Sequence, residues 1–503
     1  MVPRPRSRGV VLVLVCMMML LAVGSLFAMS LTYGVAAARA RATERALAQA
    51  REALIAYAAD RPIDPAVGPG YLPCPDLDGD GWAESTCGSM DGSSGQEQRL
   101  GRLPWKTLGL PALADGDGER LWYAVSSKYK GLLNCGISRA CVDMSPAAAL
   151  GTITVRDSAG RVVHDGTIGS AAHAREGGAV AVVIAPGAPL ARLAADGSRA
   201  MQRRDCAPGD CDADGVCVAT PPQHAATCDP ANYLDRAPTE DNADFADRND
   251  AAGRAGNGNG FIEGPVAIAG GAVVVNDRLL ALTWRDVMPA MMRRVALEVL
   301  HCLRDYATRP ENGGRYPWPA PACAPFGAAP DTGGALLGGL ADTPFARTSP
   351  AGGGAMLDRW WRNFARSPER LGELPTDADA CRIAIAPADA GPARRSPPGT
   401  PADEGRSAGN AGNAWWSAWQ PYVSYALAPP FAPGGAGTPA CTAGACIAVD
   451  SAAGQPVARD KEVAVIVAES CASAPACDAA QGCVRIVLAP DPDATAHALA
   501  AYP

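Results

Sequence analysis

An uncharged apolar run, Val10 to Ala38, opens the chain, with Arg4, Arg6 and Arg8 standing before it on the far side of Gly9. A helix of that length covers about 30 Å of hydrocarbon, whereas the apolar core of a cleaved signal peptide is about 7 to 15 residues long. The pattern predicts a transmembrane helix over 10–38, with the basic leader 1–9 kept in the cytoplasm and everything after the run outside it. The run passes without a break into RARATERALAQAREALIAYAADRP. There Leu47, Leu54 and Ala58, with Ala50 and Ile55 beside them, recur at helical spacing, while Arg41, Glu44, Arg45, Arg51 and Glu52 lie mainly elsewhere around the axis. One long helix, apolar first and amphipathic afterwards, is the expectation.

Beyond that helix the same order of elements occurs twice. A second apolar-patterned helix, MMRRVALEVLHCLRDYATRP, ends at Pro310, as the first ends near AYAADRP. RLGRLP at 99–104 is matched by RLGELP at 370–375, LWYAV at 121–125 by VSYAL at 423–427, and ITVRDSAGRVV from Ile153 by IAVDSAAGQPV from Ile447. The apolar strand AVAVVIAPG from Ala179 is echoed by EVAVIVAES from Glu462, and each copy closes on three cysteines, Cys206, Cys211 and Cys217, then Cys471, Cys477 and Cys483. Short β-branched strands separated by turns such as DSAG predict a small antiparallel sheet, and a helix laid on it buries one apolar face of each. The predicted fold class is therefore α+β: a long N-terminal transmembrane and amphipathic helix, then two tandem heads, each a helix on a small antiparallel sheet. The first head takes 39–228, a polar connector rich in Asp, Asn and Gly takes 229–276, and the second head takes 277–503.

A short basic leader ending in Gly9, an apolar N-terminal helix and an amphipathic continuation carrying a head resemble a type IV prepilin-like protein, of the minor pilin or type II secretion pseudopilin kind. The resemblance covers roughly the first sixty residues. It implies cleavage between Gly9 and Val10 by a prepilin peptidase, a single-pass protein of the bacterial inner membrane with its bulk periplasmic or in a filament, and other prepilins as partners through the N-terminal helix. Two positions depart from the family pattern: Val10 replaces the usual aromatic or methionine, and Leu14 stands where the family carries a glutamate. Large minor members, including the tip pseudopilin, also lack that glutamate, so the resemblance implies a protein that caps or initiates a pilus or pseudopilus. The alternative reading is a surface adhesin or ligand-binding module held by an uncleaved signal anchor.

Composition agrees with an exported, disulfide-rich protein. Of 503 residues, 44 are Lys or Arg and 52 Asp or Glu, a formal charge of -8 that offers no basic excess for nucleic acid. All of the 17 cysteines but Cys16 lie beyond the apolar run, an even number in a region placed outside the cytoplasm. The short-range candidates are Cys74 with Cys87, Cys135 with Cys141 and Cys441 with Cys446. Zinc is the competing use of the cysteine triplets, but neither has a histidine pair nearby or a paired CxxC arrangement.

Three acidic stretches offer hard oxygen ligands. PCPDLDGDGWAESTC puts Asp76, Asp78 and Asp80 at alternate positions before Gly81, with Glu84 at the ninth position, which is the first half of a calcium loop. The twelfth position is Cys87, not glutamate, so the alternative is a solvated turn closed by a disulfide. GDCDADGVC repeats the spacing with Asp210, Asp212 and Asp214, and the group Asn257, Asn259, Gly260 and Glu263 is weaker again. Calcium is the one candidate cofactor. No HExxH or GxxxxGK[ST] occurs, so the expectation is a structural protein and not an enzyme. The tryptophans Trp360, Trp361, Trp415, Trp416 and Trp419 pack a second core or form an adhesive face.

Overall fold

The computed structural model describes residues 7–60, 70–88, 96–126, 129–130, 150–167, 170, 177–202, 204, 230–245, 260–308, 313–316, 337–339, 423–431, 437–442, 445–450, 456–467, 485–487 and 498–501. Helix α1 spans Ser7–Asp60 and helix α2 spans Trp284–Thr308. The strands of the first part are β1 (Leu100–Arg102), β2 (Trp122–Val125), β3 (Thr154–Arg156), β4 (Val162–His164), β5 (Ala181–Ala185), β6 (Ala191–Leu193), β7 (Arg199–Met201), β8 (Gly260–Ile262), β9 (Val266–Ala267), β10 (Val273–Val275) and β11 (Arg278–Leu282). Those of the second part are β12 (Leu337–Gly339), β13 (Val423–Leu427), β14 (Ile447–Asp450), β15 (Pro456–Lys461), β16 (Val463–Val467), β17 (Arg485–Val487) and β18 (Ala498–Ala501).

Two expectations are corrected. Among the described residues, no helix is long and apolar enough to cross a membrane, so the predicted transmembrane element is withdrawn. Helix α1 carries Arg39, Arg41, Glu44, Arg45, Arg51 and Glu52 through its C-terminal half, and there Ala46, Leu47, Ala50, Leu54 and Ala58 are buried against the rest of the protein. The second correction concerns the sheets. Each part has several small sheets instead of one antiparallel sheet. Strands β1, β2, β5 and β11 form an antiparallel sheet in that order, while β4, β3 and β8 form a second sheet in which β3 and β8 run parallel. A parallel pair needs a long crossover, and the segment between β3 and β8 supplies it. The short pairs β6 with β7 and β9 with β10 also belong to the first part.

The second part repeats this topology. Strands β12, β13, β16 and β18 form its four-stranded sheet, and β15, β14 and β17 its three-stranded one, again with a single parallel pair, β14 with β17. The matched sequence words fall on matching strands, LWYAV on β2 and VSYAL on β13, with Tyr123 opposite Val183 and Tyr425 opposite Val465. RLGELP lies outside the described residues. The strand in the place of β1 is instead β12, where Gly338 faces Tyr425 as Gly101 faces Tyr123. A Cβ on Gly101 would come 2.7 Å from the Asp76 carbonyl oxygen, so the close approach of the Asp76 segment to β1 demands glycine.

The first core is layered. Every residue of β5 is buried, because both of its faces are covered. Leu100, Trp122, Ala124, Val182 and Ile184 pack with Ile153 and Val155 of the second sheet and with Tyr233, Leu234, Phe245 and Phe261. The opposite face holds Tyr123, whose hydroxyl donates to the Pro73 carbonyl at 3.1 Å, and the buried side of α1 lies against β5. Fully burying side chains of this size contributes about 1.5 to 3 kcal/mol each. The expected boundary moves as a result. Residues 230–245 and β8, assigned to a polar connector, supply core aromatics and a strand to the first part, and β11 pairs along its whole length with β5, so the first sheet ends at Leu282. Helix α2 starts two residues later, capped by Asp286 through the amide and hydroxyl of Thr283, both at 2.8 Å. It packs on β16, β18 and α1.

Candidate metal centre

The acidic loop after Cys74 is built by its own backbone. Gly79 and Gly81 take positive φ values of 83° and 88°, which turn the chain back on itself at low cost only for glycine. Asp76 is buried, and its two carboxylate oxygens accept the amides of Gly79 at 2.7 Å and Gly81 at 2.9 Å. Asp78 accepts the Asp80 amide at 3.1 Å, and Glu84 accepts the Leu77 amide at 3.3 Å. A Cβ on Gly81 would lie 2.6 Å from the Trp105 ring, so the indole floors the turn. The Cys74–Cys87 disulfide closes the loop at its base.

One carboxylate oxygen each from Asp76, Asp78 and Glu84 lies within 4.8 Å of the others. Asp80, expected in the same set, is not part of this group, because its Oδ1 turns to the Trp82 amide at 2.7 Å. Burial pushes the Asp76 carboxyl up to about 8, with the charges of Asp78 and Asp80 adding to the effect. Glu84 and Asp80 are raised for the same reasons, burial first and the neighbouring carboxylates, Asp78 foremost, after it. Converging like charges of this kind are relieved by a proton or by a cation. A carboxylate oxygen that accepts one amide still has a lone pair for a metal, and all-oxygen donors suit calcium. Three carboxylates supply fewer than the six to eight oxygens calcium takes, so water or backbone carbonyls would complete the shell.

Of the other candidates, Cys441 and Cys446 form a second disulfide. Asp210, Asp212 and Asp214, Cys135 and Cys141, both cysteine triplets and the tryptophan cluster lie outside the described residues. Gly9 and Val10 lie within the backbone of α1.

The sequence missed two features of the first part, a stacked arginine and a buried pair of aspartates. Arg102 stacks between Trp122 and Tyr233, with its guanidinium carbon 4.3 and 4.1 Å from the two rings, and burial lowers it to about 10. Asp235 and Asp277, both buried, meet across 42 residues through the Asp235 amide, which donates to Asp277 Oδ2 at 2.9 Å. NYLDR and NDR each carry an ordinary-looking aspartate, and only the long-range packing of 230–245 against the residues before β11 brings them together.

No protein-family model, curated protein or solved structure matches the chain significantly.

Proposed function

We propose that the chain is an exported assembly protein of the prepilin-like kind, a minor pilin or pseudopilin that joins other prepilins through its N-terminal helix and caps or initiates their filament. The observation that carries this reading is the contrast between the two halves of α1. Toward its N-terminal end Leu14, Met17, Met18, Met19 and Leu20 are 53 to 73% exposed, while Leu47, Ala50, Leu54 and Ala58 further along are 6% exposed or less. An exposed apolar run of this kind is a surface for another apolar helix.

The head is held rigidly to the helix that would carry it. Arg39 pairs with Asp117 at 3.0 Å, and the Thr43 hydroxyl accepts the Gly116 amide at 2.9 Å. A helix locked to its head in this way transmits the position of one to the other. The disulfides Cys74–Cys87 and Cys441–Cys446 support an oxidising compartment for the heads, and a calcium ion held by Asp76, Asp78 and Glu84 would stiffen the first of them. In this account Gly9 is the position on which processing by a prepilin peptidase depends.

The test is a pair of charge insertions on the exposed run, Met18→Glu and Leu20→Glu, in the full chain expressed in its own cell. Loss of co-purification with other prepilins, with the head still folded, is the expected result. Undiminished co-purification of both variants would overturn the reading.

A further inference from the structure

The cluster formed by Asp235 and Asp277 fastens residues 230–245 to the foot of β11. Asp277 is fully buried, and its Oδ2 accepts both the Asp235 amide at 2.9 Å and Asn242 Nδ2 at 2.8 Å. Asp235, also fully buried, accepts the Asn276 amide at 2.7 Å and Gln202 Nε2 at 3.0 Å. Asn242 in turn clamps β8, accepting the Ile262 amide at 2.8 Å and donating to the Ile262 carbonyl at 2.9 Å. Asp277 Oδ1 is buried and has no hydrogen-bond partner among the described residues.

The charges around the pair do not neutralise it. Arg204 and Arg192 act on Asp235, and Arg204 acts on Asp277. Arg192 is committed to Asp241 at 2.5 Å and to the Leu234 carbonyl at 2.9 Å. Arg204 donates to the carbonyls of Gly187 and Tyr233 and lies 3.5 Å from Glu119. Two interacting carboxyl groups without a dedicated cation are stable in a dry site when one of them keeps a proton.

We propose that Asp235 and Asp277 form a proton-dependent latch, which holds residues 230–245 against the first sheet while the pair keeps a proton and loosens that segment when both carboxyls ionise. Oδ1 of Asp277 is the one oxygen of the two carboxyls that accepts no hydrogen bond among the described residues, and so is free to carry that proton. Burial pushes Asp235 up to about 6, and burial together with the Asp235 charge raises Asp277 well above its ordinary value. The folded latch therefore binds more protons than the unfolded chain between about pH 4 and the raised values, and its stability falls as pH rises through that window. Opening would uncover the core, because Tyr233, Leu234 and Phe245 of this segment pack on Trp122 and Ile184. The latch thus places a closed head in acid and a looser one in alkaline surroundings.

Hydrogen exchange of the full chain at pH 5.5 and 8.0, expressed as protection factors for residues 230–245, tests this. Wild-type protection should fall about tenfold or more between the two values, and Asp277→Asn should lose most of that fall. Asp235→Asn, read in the same way, serves if the first variant does not fold. Equal wild-type protection at both pH values, or an unchanged fall in either variant, would overturn the proposal.

Discussion

Arg51 Nη2 on α1 donates to Asp286 Oδ1 in the first turn of α2 at 2.6 Å, joining the leading helix of the first part to that of the second. The same Asp286 carboxylate accepts the Thr283 amide and hydroxyl, so one side chain caps α2 and ties it to α1. Removing the cap should cost about 1 to 2 kcal/mol in Asp286→Ala. Arg51→Ala should cost only about 0.5 kcal/mol, since the guanidinium is about one-third exposed and water screens the pair. Burial alone would raise the Asp286 carboxyl, but the Thr283 amide and Arg51 together hold it below its ordinary value of 3.8. This contribution is present above pH 3.8 and is lost as pH falls through the lower folded value. Urea melts of wild type and Asp286→Asn at pH 7 and pH 3 should converge in acid.

The junction of head and helix depends on a missing side chain. A Cβ on Gly116 would strike the backbone of Arg39. Gly116→Val should destabilise the head by about 1 to 3 kcal/mol and break the Arg39–Asp117 pair, as measured by thermal melting and by accelerated exchange of the amides around Thr43.

Calcium should bind the loop of Asp76, Asp78 and Glu84 and raise the melting temperature. Asp76 holds its proton up to about pH 8, so the ion must displace it and affinity should increase as pH rises toward 8. Isothermal titration at pH 6.5 and 8.5 reads this directly. Asp76→Asn and Glu84→Gln should abolish binding, whereas Asp80→Asn, whose oxygen serves the Trp82 amide, should weaken it far less.

Replacing both Cys74 and Cys87 by serine should cost about 2 to 3 kcal/mol by freeing a loop of 13 residues. It should also lower calcium affinity, since the loop would lose its preorganised base. Chemical denaturation with and without calcium separates the two effects.

Local pattern made much of this legible in the sequence. Leu47, Ala50, Leu54 and Ala58 are spaced at the helical period and are the buried face of α1. The words LWYAV and VSYAL mark the strands whose tyrosines hold the same register in two sheets. Of the four acids the pattern after Cys74 offered, Asp76, Asp78 and Glu84 converge, while Asp80 turns to a local amide, a choice made by backbone geometry. Long-range pairing was illegible. Nothing local in Gly260–Ile262 shows that it joins β3 in parallel, or in Arg278–Leu282 that it closes the first sheet, because both depend on contacts more than ninety residues away. The polar composition of 229–276 hid Tyr233, Phe245 and Phe261, three buried aromatics among many Asp and Asn residues.

Unreduced intact-mass measurement, with N-terminal peptide mapping, of the protein recovered from its native cells reads prepilin processing directly. Assembly of the prepilin kind predicts a mature chain that begins at Val10, with Gly9 and the arginines removed. A chain beginning at Met1 would contradict it.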